Sequence, residues 1–141
     1  MYSMKNEMKI IRIFKDSGRV TSPKKVTPFL KEFINEDREF LIVLGLDCKH
    51  NVIFREIAGI GTQSEMIVSP REIFRNAITK SCKAIILAHN HPSGDCTPSE
   101  EDKEATKRIK RAGEIIGIEL LDHIIIGRDK FFSLEEMKTI N

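Results

Sequence analysis

The chain has 141 residues, and its 23 Lys and Arg residues nearly balance its 21 Asp and Glu residues, which leaves a formal net charge of +2. This balance argues against a dominant nucleic-acid-binding arm or an acidic tail, and no apolar run approaches the roughly 18 residues of a membrane helix. Three cysteines without a CxxC pair exclude a simple disulfide framework and suit a reducing compartment. Because the first residues also lack the apolar segment of a signal peptide, we expect a cytoplasmic protein with no membrane partner.

The first half of the chain predicts a short strand, a weak helix and a β-hairpin. The stretch MKIIRIFKD at 8–16 indicates a short strand, and apolar residues between Pro23 and about Asn35 recur with a weak helical period. Two apolar segments rich in β-branched residues, FLIVLGLD at 40–47 and VIFREIA at 52–58, flank a polar turn. They predict two paired strands, the first of them buried on both faces.

Two amphipathic helices are predicted in the second half. The segment SPRE at 69–72 places serine at the N-cap, proline at N1 and glutamate at N3, which predicts a capping box on a helix that ends near Ser81. Ser99 begins the second helix and Gly117 ends it. The apolar residues of that helix recur at helical spacing and are expected to face the core: Ala105, Ile109, Ala112 and Ile116.

Further strands lie before and after the second helix. The apolar segments at 83–88 and 118–126 predict buried strands, and 130–133 predicts a short last strand. Strands that alternate with amphipathic helices imply a layered α/β domain with a mixed sheet.

The segment between the strand at 83–88 and the second helix carries the candidate chemistry. His89 and His91 are two residues apart where the strand ends, so their side chains are expected to point to the same side. Asp102 occupies the N3 position of the following helix, and turn-forming residues in between allow the chain to fold back. Two imidazoles and one carboxylate with an open fourth position form a zinc arrangement suited to catalysis, because water can occupy the open position.

Each of these residues also has a plain structural explanation. Ser99 and Asp102 suit a capped helix that holds no metal, and an HxH pair alone is weak support for a metal site. Cys96 in the same loop is a further potential zinc ligand, although a loop residue without a metal is the simpler interpretation. Asp95 either orients a ligand histidine or stabilises the turn, and His123 either supports the site or packs in a strand.

These residues in this order resemble the JAMM (MPN+) metalloprotease signature. The match consists of HNHP at 89–92, seven residues between His91 and Ser99, and two more before Asp102. The sequence HNHPSGD…PSEED is similar to sequences of the RadC family of bacterial JAMM-like domains. Other short sequence segments also resemble segments at the corresponding places in that family: GT at 61–62, SPRE at 69–72, AIILAHNHP at 84–92 and LDH at 121–123.

The resemblance covers about residues 38–135, so we predict a RadC-like JAMM domain at 38–141 and an N-terminal extension at 1–37. It implies a three-layer α/β/α domain, similar to the cytidine-deaminase architecture, with one zinc ion.

The resemblance also implies the roles of the site residues. His89, His91 and Asp102 would bind the zinc, and Ser99 would stabilise the oxyanion of a tetrahedral intermediate. The implied reaction is hydrolysis of a peptide or isopeptide bond in a protein or peptide substrate by zinc-bound water.

Such hydrolysis also needs a carboxylate that takes a proton from the water and passes it to the leaving nitrogen. In JAMM proteins this glutamate precedes the apolar strand at the start of the core, and Glu39 fits that position best. Glu56, in the neighbouring predicted strand, is the competitor, and Glu36 is a weaker one. The alternative for Glu39 is a solvated charge at a strand edge.

Three other functions compete with the hydrolase. The RadC family carries a historical DNA-repair label, but a net charge of +2 and one short basic run at 107–111 give little support for a nucleic-acid partner. Longer RadC proteins carry an N-terminal region resembling helix-hairpin-helix elements, and no such element is recognisable before residue 38. A zinc deaminase would need H-x-E and P-C-x-x-C, which are absent. A catalytically idle interaction domain that holds the metal also stays compatible with the sequence. The oligomeric state is a separate question that the sequence leaves open.

Overall fold

The computed structural model describes residues 11–15, 18–61 and 69–137. Predicted features outside these ranges, such as Thr62 of the GT pair and residues 8–10 of the first predicted strand, lie outside the described residues. Within the described ranges, no helix is both long and apolar enough to span a bilayer. The elements in chain order are β1 (Ile11–Ile13), a 3₁₀ helix (Pro23–Phe33), β2 (Glu39–Leu46), β3 (Val52–Gly61), α1 (Pro70–Thr79), β4 (Ala84–Asn90), α2 (Glu100–Ile116), β5 (Glu119–Ile126) and β6 (Phe131–Ser133).

The strands form one mixed sheet in the order β1-β3-β2-β4-β5-β6. β4 and β5 run parallel, whereas the other neighbouring strands are antiparallel. The 3₁₀ helix covers one face, where Leu30 and Phe33 pack in the same cluster as Ile42 and Leu44 of β2. α1 and α2 cover the opposite face. The predicted three-layer α/β/α arrangement with a mixed sheet is therefore confirmed.

β2 and β4 occupy the centre of the sheet. Every residue of both strands is buried, as expected for near-continuous apolar segments that are covered on both faces. β2 and β3 form the predicted hairpin, and in its turn the Asp47 carboxylate accepts hydrogen bonds from the backbone N–H groups of Lys49 and Asn51, each at 2.9 Å. Antiparallel pairing places Leu41 opposite His89. The beginning of β2 therefore lies beside the end of β4.

Two segments differ in detail from their prediction. The weak helical pattern after Pro23 is a 3₁₀ helix, with Pro28 inside it; a proline supplies no backbone N–H to a continuous α-helical ladder. The capping box predicted at Ser69 is wrong, because Ser69 lies at the N-cap of α1 but its side chain makes no capping hydrogen bond. The Glu72 carboxylate instead lies 3.2 Å from the Arg75 guanidinium.

α2 begins with a complete capping box. Ser99 Oγ accepts a hydrogen bond from the Asp102 backbone N–H at 3.0 Å, and Asp102 Oδ2 accepts one from the Ser99 backbone N–H at 2.9 Å. At the other end, Gly117 adopts the left-handed conformation with φ of 91°, which glycine accepts without a steric penalty. The cap holds Asp102 in one place at the helix start.

The buried face of α2 agrees with the prediction at Ile109 but differs from it at other positions. Thr106, Ile109 and Gly113 are buried, whereas Ile116, which was expected to face the core, is 42% exposed. A Cβ atom on Gly113 would collide with the backbone oxygen of Ile118. The glycine therefore allows α2 to approach the chain that leads into β5.

We expect Gly113→Ala to lower the free energy of unfolding by about 1–3 kcal/mol, the usual cost of overpacking a buried position. Helix propensity alone predicts the opposite sign, a gain of about 1 kcal/mol. Chemical denaturation measures the difference, and Lys107→Ala on the exposed side of α2 is the control for an ordinary alanine substitution. A free energy of unfolding at or above that of the wild type would contradict the close packing of α2.

Candidate metal centre

The two histidines lie at the end of β4, on the sheet face that α1 and α2 cover. Ile85 and Leu87 belong to the core cluster on that face, and His89 continues the same row because strand side chains alternate between faces. His89 Nε2 lies 2.9 Å from His91 Nε2. The two imidazoles therefore point to the same side, as predicted.

Asp102 reaches both histidines from the first turn of α2. Its Oδ1 lies 3.4 Å from His89 Nε2, and its Oδ2 lies 3.4 Å from His91 Nε2. Burial by itself raises the pKa of Asp102, but hydrogen bonds to His89 and His91 outweigh burial and lower the pKa well below its usual value. Asp102 therefore acts both in the helix cap and as an ionised carboxylate facing the imidazoles. The cap does not compete with the site.

Glu39, the first residue of β2, also lies near His89 Nε2. Its Oε1 is 3.9 Å from His89 Nε2, and the donor atoms of Glu39, His89 and His91 all lie within 4.8 Å of one another. Burial raises the pKa of Glu39, and the two histidines oppose that shift. Glu39 is thus a buried carboxylate at the site and not the solvated charge of the alternative interpretation.

The amide of Asn90, which lies between the two histidines in the sequence, holds the backbone on both sides of Glu39. Asn90 Oδ1 accepts a hydrogen bond from the Phe40 backbone N–H at 2.7 Å, and Asn90 Nδ2 donates one to the Arg38 carbonyl at 2.9 Å. Asn90 has no exposed surface. The position of Glu39 therefore depends directly on β4. The role of Asn90 was not predicted from the sequence, although its place inside the HNH segment was a signal.

The structure separates the two competing glutamates from the histidines. Glu56 is buried, and its Oε2 lies 3.8 Å from Arg75 of α1. Burial raises the pKa of Glu56, and a hydrogen bond to Asn76 opposes that shift. Glu36 lies just after the 3₁₀ helix, where its backbone N–H donates to the Phe33 carbonyl. Among the described residues, neither belongs to the group of Glu39, His89 and His91, which could hold a metal ion.

Hydrogen bonds to the other ring nitrogens orient both imidazoles. His91 Nδ1 lies 2.7 Å from the backbone oxygen of Asp95, and a carbonyl only accepts, so this nitrogen carries a proton. The Asp95 side chain accepts hydrogen bonds from Thr97, so Asp95 both stabilises the turn and orients His91. On the other imidazole, His89 Nδ1 lies 2.7 Å from His123 Nε2.

His123 and Thr106 extend this network into the core. His123 Nδ1 lies 2.6 Å from Thr106 Oγ1, and the Thr106 hydroxyl donates to the Asp102 carbonyl at 2.7 Å. Burial lowers the pKa of His123 well below its usual value, so the ring is neutral. His123 thus supports the site, one of its two predicted alternatives. Thr106 was missed, because a lone threonine in a helix carries no sequence signal for this contact.

Cys96 and Ser99 lie in and just after the loop that follows His91, and each makes hydrogen bonds of its own. The Ser99 hydroxyl accepts in the capping box, which leaves its own hydrogen as a donor; the predicted oxyanion role stays a prediction. The Cys96 thiol donates to the carbonyl oxygens of Lys130 and Gly94 at 3.4 and 3.9 Å. These contacts to backbone carbonyls favour the interpretation of Cys96 as a plain loop residue.

The donor atoms fit a metal cation. Two imidazole nitrogens face each other at 2.9 Å, with the Asp102 carboxylate beside both of them. Burial lowers the pKa of His91, but its bonds to Asp102 and to the Asp95 carbonyl outweigh burial and raise it. The cluster therefore attracts positive charge, either a proton or a metal. Imidazole and carboxylate ligands in this combination bind divalent transition metals.

Comparison with known proteins agrees with the motif. The chain matches the model of a RadC-like JAB domain over residues 20–139, which begins within the predicted extension; the boundary predicted between 37 and 38 stays a prediction. A UPF0758 protein of Desulforamulus reducens is 50% identical over 117 residues, or 82% of this chain and 52% of the relative. A UPF0758 protein of Thermotoga maritima is 42% identical over 118 residues, or 84% of this chain and 53% of the relative.

A third relative, the UPF0758 protein SH1266 of Staphylococcus haemolyticus, is 45% identical over 126 residues, or 89% of this chain and 55% of the relative. The chain thus spans about half the length of these curated relatives. The match to the family model covers most of the chain, and it includes every residue of the candidate metal centre. The chain therefore belongs to the RadC-like JAB domain family.

Proposed function

We propose that this chain is a zinc-dependent hydrolase that cleaves peptide or isopeptide bonds in a protein or peptide substrate. The observation that carries the proposal is the convergence of four side chains, which brings two carboxylates, Glu39 and Asp102, beside two imidazoles. Glu39 Oε1 lies 3.9 Å from His89 Nε2, while Asp102 lies 3.4 Å from both imidazoles. A site of two histidines and one carboxylate, with a separate carboxylate nearby, is the arrangement used for metal-assisted hydrolysis.

We assign the ligand roles to His89, His91 and Asp102. Asp102 is closer to the histidines than Glu39, and its lowered pKa keeps it anionic. Two neutral imidazoles and one carboxylate are a common catalytic ligand set for zinc. Zinc in such a site supplies Lewis acidity, which activates both water and the substrate carbonyl.

Glu39 is the general base in this proposal. Its carboxylate takes a proton from the attacking water and later delivers that proton to the leaving nitrogen, while the water oxygen bonds to the carbonyl carbon and the C–N bond breaks. Burial raises the pKa of Glu39 despite the opposing histidines, which suits a group that must hold a proton between the two steps. The Asn90 amide supports this role by holding the backbone on both sides of Glu39.

Ser99 supplies a donor for the substrate oxygen. Its hydroxyl oxygen is engaged in the helix cap, so its hydrogen is free to be directed at the negative charge that develops on the carbonyl oxygen. The first turn of α2 contributes a partial positive charge in the same region.

Removal of the metal tests the proposal. We expect the purified chain to hold about one zinc ion and to cleave members of a peptide library that includes ε-lysyl isopeptide bonds, with products identified by mass spectrometry. A chelator should abolish cleavage and added zinc should restore it, with circular dichroism confirming that the apo chain stays folded.

Two outcomes would overturn this function. A chain that binds one zinc ion but cleaves no library member would be the catalytically idle interaction domain. Tight DNA binding that weakens steeply with salt, without hydrolysis, would favour a nucleic-acid-associated module instead.

A further inference from the structure

We infer that His123 and Thr106 are positioning residues that hold His89 in the tautomer whose Nε2 lone pair faces the metal centre. The inference rests on the proposed metal site and assigns a function to two buried side chains outside the ligand set. His123 lies on β5 and Thr106 on α2, so the residues come from different layers of the fold.

The direction of each hydrogen bond in this network follows from the acceptor at one end, the backbone carbonyl of Asp102. The Asp102 backbone carbonyl only accepts, so the Thr106 hydroxyl, 2.7 Å away, donates its single hydrogen there. Thr106 Oγ1 must then accept from His123 Nδ1 at 2.6 Å. A neutral His123 ring with a protonated Nδ1 has a lone pair on Nε2, which accepts from His89 Nδ1 at 2.7 Å. In a neutral His89 ring with its proton on Nδ1, Nε2 is the nitrogen that holds the lone pair.

The reverse direction would block the metal. If the Thr106 hydroxyl donated to His123 Nδ1, then His123 Nε2–H would donate to His89 Nδ1, and the His89 proton would lie on Nε2. That proton would point at His91 Nε2 and Asp102, where a metal would bind. The bond from Thr106 to the Asp102 carbonyl selects against this arrangement.

Burial of these side chains strengthens the preference for one hydrogen-bond direction over the other. Thr106 is fully buried, and His89 and His123 are 3% and 4% exposed. Water therefore cannot replace a lost partner, and an unpaired buried donor or acceptor carries a full desolvation penalty. The hydrogen bond on the second nitrogen of a ligand histidine commonly sets its tautomer and its basicity toward the metal.

The test uses ¹⁵N-labelled, metal-free protein at about pH 8, above the usual imidazole pKa of about 6.5. Long-range ¹H–¹⁵N correlation spectra distinguish a protonated ring nitrogen from an unprotonated one. We expect the wild type to carry the His89 proton on Nδ1. In Thr106→Val, which keeps the shape but removes the hydroxyl, we expect that proton to move to Nε2.

Zinc affinity, measured by competition with a chromophoric chelator, provides the second readout. We expect Thr106→Val and His123→Leu to bind zinc about 10–100-fold more weakly than the wild type. Thr106→Ser and His123→Gln keep a hydroxyl and an acceptor for His89 Nδ1, so each should restore most of the affinity. His50→Asn removes a histidine from a distant hairpin turn with φ of 65°, which asparagine tolerates, and should bind as the wild type does.

The possible results separate this inference from the proposed function. A wild-type chain without measurable zinc affinity would overturn the metal site itself. A wild type that binds zinc, with Thr106→Val matching it in both the His89 tautomer and the affinity, would overturn the role of His123 and Thr106 alone. If His123→Leu fails to fold, the isosteric Thr106→Val still decides the question.

Discussion

Replacement of His89 by alanine is expected to remove zinc from the protein. The substitution deletes one of three proposed ligands and the contact between β4 and His123. The loss of affinity should exceed the roughly 100-fold that removing the hydrogen-bond partner of a ligand costs. Elemental analysis of protein dialysed against a weak chelator measures the zinc content, and the same variant should have no hydrolytic activity.

Asp102→Asn refines this result because it keeps the size of the side chain and removes its charge. An asparagine oxygen can still accept from the Ser99 backbone N–H, so the helix cap should persist while zinc is largely lost. Equal zinc content in the wild type, His89→Ala and Asp102→Asn would contradict the proposed metal site.

Glu39→Gln is expected to abolish most of the hydrolysis without removing the metal. A glutamine has the shape of glutamate but cannot take a proton from water, and general base catalysis usually contributes about 10²–10⁴-fold to the rate. Rates of peptide cleavage at saturating zinc measure the loss, and elemental analysis measures the zinc content of the same samples. We expect the rate to fall by that factor and the zinc content to match the wild type.

Glu56→Gln is the matched control, since Glu56 is also a buried glutamate in a neighbouring strand, but it faces Arg75. It should retain nearly full activity. A loss of zinc in Glu39→Gln would instead make Glu39 a ligand, which its place in the group within 4.8 Å would permit. Activity lost only in Glu56→Gln would transfer the role of base to that residue.

The local elements could be predicted because their signals lie within a few residues. The apolar segments of β2 and β4 and the spacing of His89 and His91 follow from strand periodicity, and the structure agrees with both. Helix caps were harder to predict. Ser69 and Ser99 share the same spacing to an acidic residue, but only Ser99 forms the capping box, while Glu72 lies beside Arg75.

Contacts between segments that lie far apart in the sequence could not be predicted from local residue patterns. Residue periodicity could not decide between Glu39 and Glu56, because they lie on paired strands and the difference depends on which helix each side chain faces. Thr106 and His123 are 17 positions apart, and Phe40 and Asn90 are 50 apart. Their hydrogen bonds exist only once the sheet is assembled, so the partners of His89 and Glu39 became visible only in three dimensions.

The hydrogen bonds between the Asn90 amide and the backbone of Arg38 and Phe40 make the position of Glu39 a property of the protein interior. They tie Glu39, the proposed general base, to the strand that contains His89, so the spacing between Glu39 and His89 is set in the interior of the fold. Under the proposed function, we expect substitutions in the periphery to change which substrates are admitted without moving Glu39 relative to His89. Conversely, a change at Asn90 should disturb the alignment of Glu39 even though its amide touches none of the reacting atoms.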